Sequence, residues 1–226
     1  MPFAFFEHKT LFKWIIKSVS NPFAISNNLS YMLTFAHMKR MVIFASGSGT
    51  NMERIATVFA SDTEIEIALV VCNRPGAGVI ARAAKAGIPV RMIDRASFYE
   101  TDELTQELLS IKTDLIVLAG FLWLVPQHLL SAFPGRIINI HPALLPKFGG
   151  KGMYGEKVHE AVVSAGEKES GITIHYVNEH YDSGDIIFQK AFELHPEETP
   201  ATLAQRIHTL EYEHFPKVIE QLLNSQ

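Results

Sequence analysis

The sequence predicts an α/β fold: a mostly parallel sheet with helices on both faces and an antiparallel addition near the C-terminus. Three observations carry that prediction. From Met41 onward, short apolar runs rich in β-branched residues alternate with stretches of helical period. One run, 114–119 (DLIVLA), is apolar almost throughout, as a strand covered on both faces must be. The last two runs are joined by a tight polar loop, which marks an antiparallel pair. The 226 residues, 47% of them hydrophobic, are enough for one domain with an ample core. A single cysteine, Cys72, excludes an internal disulfide, and no run of 18 apolar residues is present to span a bilayer. A formal charge of -4 disfavours nucleic acid as the main partner. A cytoplasmic protein is expected, with no membrane and no nucleic acid among its partners.

The elements follow in order. Residues 41–45 (MVIFA) form the first strand and run into Ser46-Gly47-Ser48-Gly49. Residues 51–60 read as a helix because Met52, Ile55, Ala56 and Phe59 share one face. Residues 65–72 (IEIALVVC) are the next strand, stopped by Asn73-Arg74-Pro75-Gly76. A helix at 79–85 ends at Gly87, a strand follows at 89–93, then a helix at 103–111 and the apolar strand at 114–119. A short helix near 126–133 precedes the strand 136–141 (RIINIH). Residues 171–177 (GITIHYV) and 185–194 (DIIFQKAFEL) make the antiparallel pair, and 201–223 closes the chain as a helix interrupted or kinked at Pro216. The arrangement is Rossmann-like.

Charge and aromatic content divide the chain near residue 40. Residues 1–40 hold five Lys+Arg and one acid, Glu7, leaving 15 Lys+Arg and 23 Asp+Glu in 41–226, a net of -8. Eight of the 23 aromatics also lie in the first 40 residues, with no clean period. The chain is therefore divided into a leader, 1–40, and a domain, 41–226. Three origins fit the leader: a targeting peptide, a structural arm, or an extension upstream of a true start at Met38 or Met41, which is preferred.

Three motifs bear on chemistry. Ser46-Gly47-Ser48-Gly49-Thr50-Asn51 joins a strand to a helix N-terminus, where free backbone N–H groups and the helix dipole suit an anion. A dinucleotide fingerprint would need Gly or Ala at Met52 and an acid near Asn73, so the loop reads as a monophosphate site or a plain tight turn. In 136–142, alternation puts Asn139 and His141 on one face at the C-terminal end of a buried strand. Such a pair either satisfies itself structurally or offers an oxyanion donor and a proton carrier. Asp182, in His180-Tyr181-Asp182-Ser183-Gly184-Asp185, is either a turn former or a carboxylate that raises the pKa of His141. His175, in an apolar strand, reads as a satisfied core residue. The histidines lack metal-ligand spacing, and no metal is expected.

In this order the motifs resemble the folate-dependent formyltransferases. The resemblance rests on 45–51, on Leu118-Ala119-Gly120-Phe121, on the block Ile138-Asn139-Ile140-His141-Pro142-Ala143-Leu144-Leu145-Pro146, and on Asp182-Ser183-Gly184, and it runs from about Met41 into the last helix. It implies transfer of a formyl group from 10-formyltetrahydrofolate, as co-substrate, to an amine. The phosphate loop selects the branch that formylates glycinamide ribonucleotide in purine biosynthesis. By resemblance Asn139, His141 and Asp182 are catalytic. Gly49, Thr50, Asn51, Met52, Glu53 and Glu211 hold the phosphoribosyl group. Leu122, Trp123, Leu124 and Val125 line one wall of the folate pocket. Asn178, Glu179, His180, Tyr181 and Asp182 line the other, with Asn139 between them. Asp182 is expected to keep His141 charged, so that Asn139 and an imidazolium stabilise a tetrahedral oxyanion.

Three departures from the family pattern stand out. Residues 148–158 (FGGKGMYGEKV) are longer than the usual link and predict a glycine-rich mobile flap. Trp123 stands where many relatives carry Arg, and 97–112 lacks an Arg that some relatives place near the folate tail. The branch that formylates initiator tRNA normally adds a C-terminal domain and basic surfaces. The branch that hydrolyses formyltetrahydrofolate adds an N-terminal domain of about 80 residues. The first does not fit an acidic body that ends about 40 residues after Asp182, residues 1–40 are too short and unpatterned for the second, and a non-catalytic folate- or phosphate-binding module would not need all three catalytic positions.

Overall fold

A computed structural model describes residues 38–225. The leader reading lies outside these residues for 1–37. The strands are β1 (Lys39–Ala45), β2 (Ile65–Cys72), β3 (Val90–Met92), β4 (Leu115–Leu118), β5 (Ile137–His141), β6 (Glu169–Tyr176) and β7 (Ile186–Glu193). The helices are α1 (Thr50–Val58), α2 (Gly78–Lys85), α3 (Arg95–Tyr99), α4 (Glu103–Ser110), α5 (Gln127–Ala132), α6 (Glu156–Ser164) and α7 (Pro200–Asn224). The sheet order is β3-β2-β1-β4-β5-β6-β7. β1 to β5 pair parallel and β6 and β7 antiparallel, as expected.

Strand β1 shows why the sheet must be covered twice. Met41 to Ala45 are all fully buried, and alternate residues serve opposite faces. Met41, Ile43 and Ala45 pack with Met52 and Ile55 of α1, Val79 and Ala83 of α2, and Leu203 and Ile207 of α7. Val42 and Phe44 pack with Phe98 of α3, Leu104 and Leu108 of α4, and Leu129 of α5. β1 begins at Lys39, two residues before the expected Met41. There Arg40 pairs with Glu66 at 2.6 Å, and its backbone N–H donates to Asp114 at 2.7 Å.

Two helices escaped the sequence pattern. α3 is only five residues long and is started by a reciprocal capping box between Asp94 and Ser97. α6 takes in the last three residues of the segment read as a flap, so the irregular part ends at Gly155. The expected break at Pro216 is absent, because α7 runs through it as one helix. Proline leaves the carbonyl four residues earlier, that of Tyr212, without its helical donor. Arg54 of α1 supplies one instead, its Nε donating to Tyr212 O at 3.1 Å.

Candidate functional site

Strand order reverses between β1 and β4, and open α/β sheets place ligands at the strand C-termini beside such a reversal. Here the loops after β1 and β4 are tied together. Ser46 N–H donates to Gly120 O at 3.0 Å, and Leu122 N–H donates to Ser46 Oγ at 3.0 Å. A cavity of about 670 Å³ opens above them, bounded by 46–51, Arg74, 119–122, the end of β5, the start of α6, and one face of α7.

Gly49 caps α1 with φ 80°, and a Cβ there would lie 2.5 Å from the Cα of Val79. Only glycine meets both demands. No side chain caps α1, so the N–H groups of its first turn are not used inside the helix until Glu53 N–H closes on Gly49 O at 2.9 Å. Those groups and the helix dipole favour an anion at Gly49–Asn51. Across the cavity Glu211, 5% exposed, accepts from Asn51 Nδ2 at 2.9 Å and pairs with His208 Nδ1 at 3.0 Å. That bond raises the pKa of His208 against the opposing effect of burial.

Four side chains meet near the end of β5. Asn139 faces His175 across the β5–β6 ladder, and its Nδ2 lies 3.1 Å from His175 Nε2 and 3.3 Å from Asp182 Oδ1. His175 Nδ1 donates to Tyr176 O at 2.8 Å, which leaves its Nε2 to accept from Asn139 in the neutral ring. His141, 3% exposed, donates from Nε2 to Phe148 O at 2.8 Å, while its Nδ1 lies 3.5 Å from Asp182 Oδ2. Asp182 Oδ2 also accepts from Gly150 N–H at 2.9 Å. Burial raises the pKa of Asp182, but His175, the charge of His141 and the Gly150 N–H together outweigh it and hold the carboxyl low.

The effect on His141 differs from expectation. Asp182 and the Phe148 carbonyl both favour imidazolium, as the sequence suggested. Burial is the larger influence, and the pKa lies below its ordinary 6.5. The resting ring is therefore mostly neutral at neutral pH.

On the far side of Asn139 lies a narrow cleft of about 50 Å³, walled by Phe121, Trp123, Leu124 and Val125 and by Val177, His180, Tyr181 and Asp182. Asn139 and Phe121 border both spaces. At the joint between a polar cavity and an aromatic cleft, Asn139 thus has His141 on the cavity side and Asp182 on the cleft side.

Residues 39–219 match the family model described as formyl transferase. The chain belongs to the formyl transferase family. It is 41% identical over 191 residues to a phosphoribosylglycinamide formyltransferase of Bacillus subtilis, covering 82% of this chain and 95% of that one. Identity to a chloroplastic phosphoribosylglycinamide formyltransferase of Arabidopsis thaliana is 42% over 188 residues, or 80% of this chain but only 64% of the relative's length. The crystal structure of glycinamide ribonucleotide transformylase 1 from Geobacillus kaustophilus superposes with a TM-score of 0.74 at 40% identity, covering 83% of this chain and all of that one.

Within this formyl transferase fold the expected residues separate. Gly49, Thr50, Asn51 and Glu211 line the large cavity. Met52 is wholly buried in the core, and the Glu53 side chain turns away to pair with Arg82, so neither side chain reaches the cavity. Trp123, Leu124, Val125, His180, Tyr181 and Asp182 line the cleft, whereas Leu122 faces the larger cavity. Asn178 holds its own loop, accepting from His180 N–H and Ser183 Oγ, and Glu179 lies exposed beside His180. His159, Arg74 and Lys157 were missed, while His175, read as a satisfied core residue, is hydrogen-bonded at both ring nitrogens. A sequence signal existed only for His208, three residues before Glu211 and so on the same helix face. Among the described residues, no group of three His, Cys, Asp or Glu could hold a metal ion.

Proposed function

We propose that this chain transfers the formyl group of 10-formyltetrahydrofolate to the amine of glycinamide ribonucleotide. The carrying observation is that Asn139, His141 and Asp182 converge where the two spaces meet. The similarity to enzymes named for this reaction supports the same reading. The ribonucleotide phosphate would rest on the N-terminus of α1, with its ribose at Glu211. The pterin end of the folate would enter between 123–125 and 180–182.

The substrate amine attacks the formyl carbon, and the carbonyl electrons move to oxygen. As the intermediate collapses, the bond to the folate nitrogen breaks, that nitrogen gains a proton and the former amine loses one. Both hydrogens of Asn139 Nδ2 already have partners, so the oxyanion takes one in place of Asp182 Oδ1, the longer contact. A well-placed donor of this kind is worth about 3–4 kcal/mol. Neutral His141 takes up the amine proton, directly or through water. Asp182 stabilises the resulting imidazolium, and burial makes it ready to release the proton to the folate.

The test is consumption of 10-formyltetrahydrofolate by purified protein with glycinamide ribonucleotide, with initiator tRNA, and with water alone. Turnover should require the ribonucleotide. Equal turnover without it would replace the transferase reading with a hydrolase.

A further inference from the structure

The buried polar side chains lining the large cavity are Ser46, His141, His159 and Glu211. Three of them are satisfied: Ser46 by Leu122 N–H, His141 by Phe148 O, and Glu211 by Asn51 and His208. His159 is the exception. It is 4% exposed, and its Nδ1 is buried with no hydrogen-bond partner. A buried polar atom left unpaired is costly, and folded proteins keep few of them. His159 lines the binding cavity, so a ligand there is a natural partner for its imidazole. Sequence spacing gave no hint of it, because α6 itself was hidden behind the glycine-rich 149–155.

The surroundings restrict what the ligand group can be. The charges that act on His159 come from Glu211 and His208 on α7, Glu156 on its own helix, and His141 on β5. Burial is the largest influence and keeps the ring neutral at neutral pH, so it offers one N–H and one lone pair rather than a positive charge. That suits a hydroxyl or an amide. A phosphate is better served by the N-terminus of α1.

We propose that His159 is a substrate-positioning residue whose imidazole hydrogen-bonds the ribosyl-glycinamide part of the ribonucleotide. The inference rests on the proposed function, and it adds a contact from α6 to a substrate otherwise held by α1 and α7.

Glycinamide ribonucleotide is titrated calorimetrically into the wild-type protein and into His159→Leu, His159→Ala and His159→Asn. Steady-state kinetics and melting temperatures are recorded alongside. The Leu and Ala variants should bind the ribonucleotide about tenfold more weakly, with KM for 10-formyltetrahydrofolate unchanged. Asn keeps a neutral polar edge and should restore much of the loss. Inhibition by inorganic phosphate should be equal in all four proteins. Undiminished ribonucleotide affinity in the Leu and Ala variants overturns the proposal. So does an equal loss of phosphate and ribonucleotide binding, which would make His159 a packing residue. If the Leu and Ala variants do not fold, His159→Phe keeps the ring volume without a hydrogen-bonding edge, and ribonucleotide affinity in it equal to that of His159→Asn overturns the proposal as well. Failure of the wild-type protein itself to bind the ribonucleotide would instead remove the functional assignment.

Discussion

At His141 opposing influences meet on one imidazole. Burial lowers its pKa, and the Asp182 carboxylate and the Phe148 carbonyl raise it without overcoming burial. A proton-accepting role requires the neutral ring, so kcat should fall as pH drops through a value below 6.5. Asp182→Asn removes the stronger opposing influence. It should lower kcat by about a hundredfold, the scale of one lost electrostatic contact. It should also move the acidic limb and the His141 ring titration to still lower pH. A limb that stays in place or moves upward in that variant, by rate profile and NMR titration, would take His141 out of the proton transfer. His141→Ala should lower kcat at least as much, with ribonucleotide affinity nearly kept.

The same shifts predict the response to acid. The contribution to stability from neutral His141 is complete above its ordinary pKa and is lost as pH falls through the lowered one. Asp182, also lowered, contributes above the ordinary carboxylate value and loses that contribution as pH falls through its folded pKa. Both therefore destabilise the fold on acidification, and denaturant melts should show Asp182→Asn losing more stability than wild type where His141 titrates, because that pKa falls further, and less below the ordinary carboxylate value.

At the scale of elements, the strand-to-helix turn at Gly49 sets the geometry of the anion site. Gly49→Ala would put a methyl group 2.5 Å from the α2 backbone and force a side chain into the left-handed region. The strain is about 1–3 kcal/mol. At this chain length each kcal/mol lowers Tm by about 2–4 °C. Calorimetry should show that fall together with weaker phosphate binding, and an unchanged Tm would contradict the packing described. Elements differ in how plainly the sequence announces them. β1, β4 and β5 are legible because burial on both faces imposes unbroken apolar runs. α3 is too short to show a period, and α6 begins straight after four glycines in seven positions have hidden its start. Pro216 misled for another reason: the missing bond is replaced from a helix more than 150 residues earlier, which no local pattern reveals.

For the molecule as a whole, the site was legible where chemistry sits on one strand and illegible where topology assembles it. Asn139 and His141 stand two apart on β5. Their contact with Asp182 depends on a loop folding back over β5 and β6, and His175 enters only through its register opposite Asn139. His159 needed the three-dimensional accounting of hydrogen bonds. Net charge gave little guidance, since a body of net -8 from residue 41 onward is proposed to bind two anionic substrates. The attraction has to be local, from the first turn of α1, Arg74 and Lys157 at the cavity rim.

The Tyr212 carbonyl freed by Pro216 has a consequence for how the molecule opens. Arg54 fills that vacancy from α1, and one turn away Asn51 of α1 binds Glu211 of α7. The two helices are distant in sequence yet share two cross-links beside the anion site. In native-state hydrogen exchange their slow amides should therefore exchange together, as one cooperative unit. Arg54→Ala should speed exchange in both helices at once while leaving β4 and α4 unaffected. Phosphate bound at the first helix would then slow exchange in the last one, so protection at the C-terminal end of the chain would report on occupancy near its beginning.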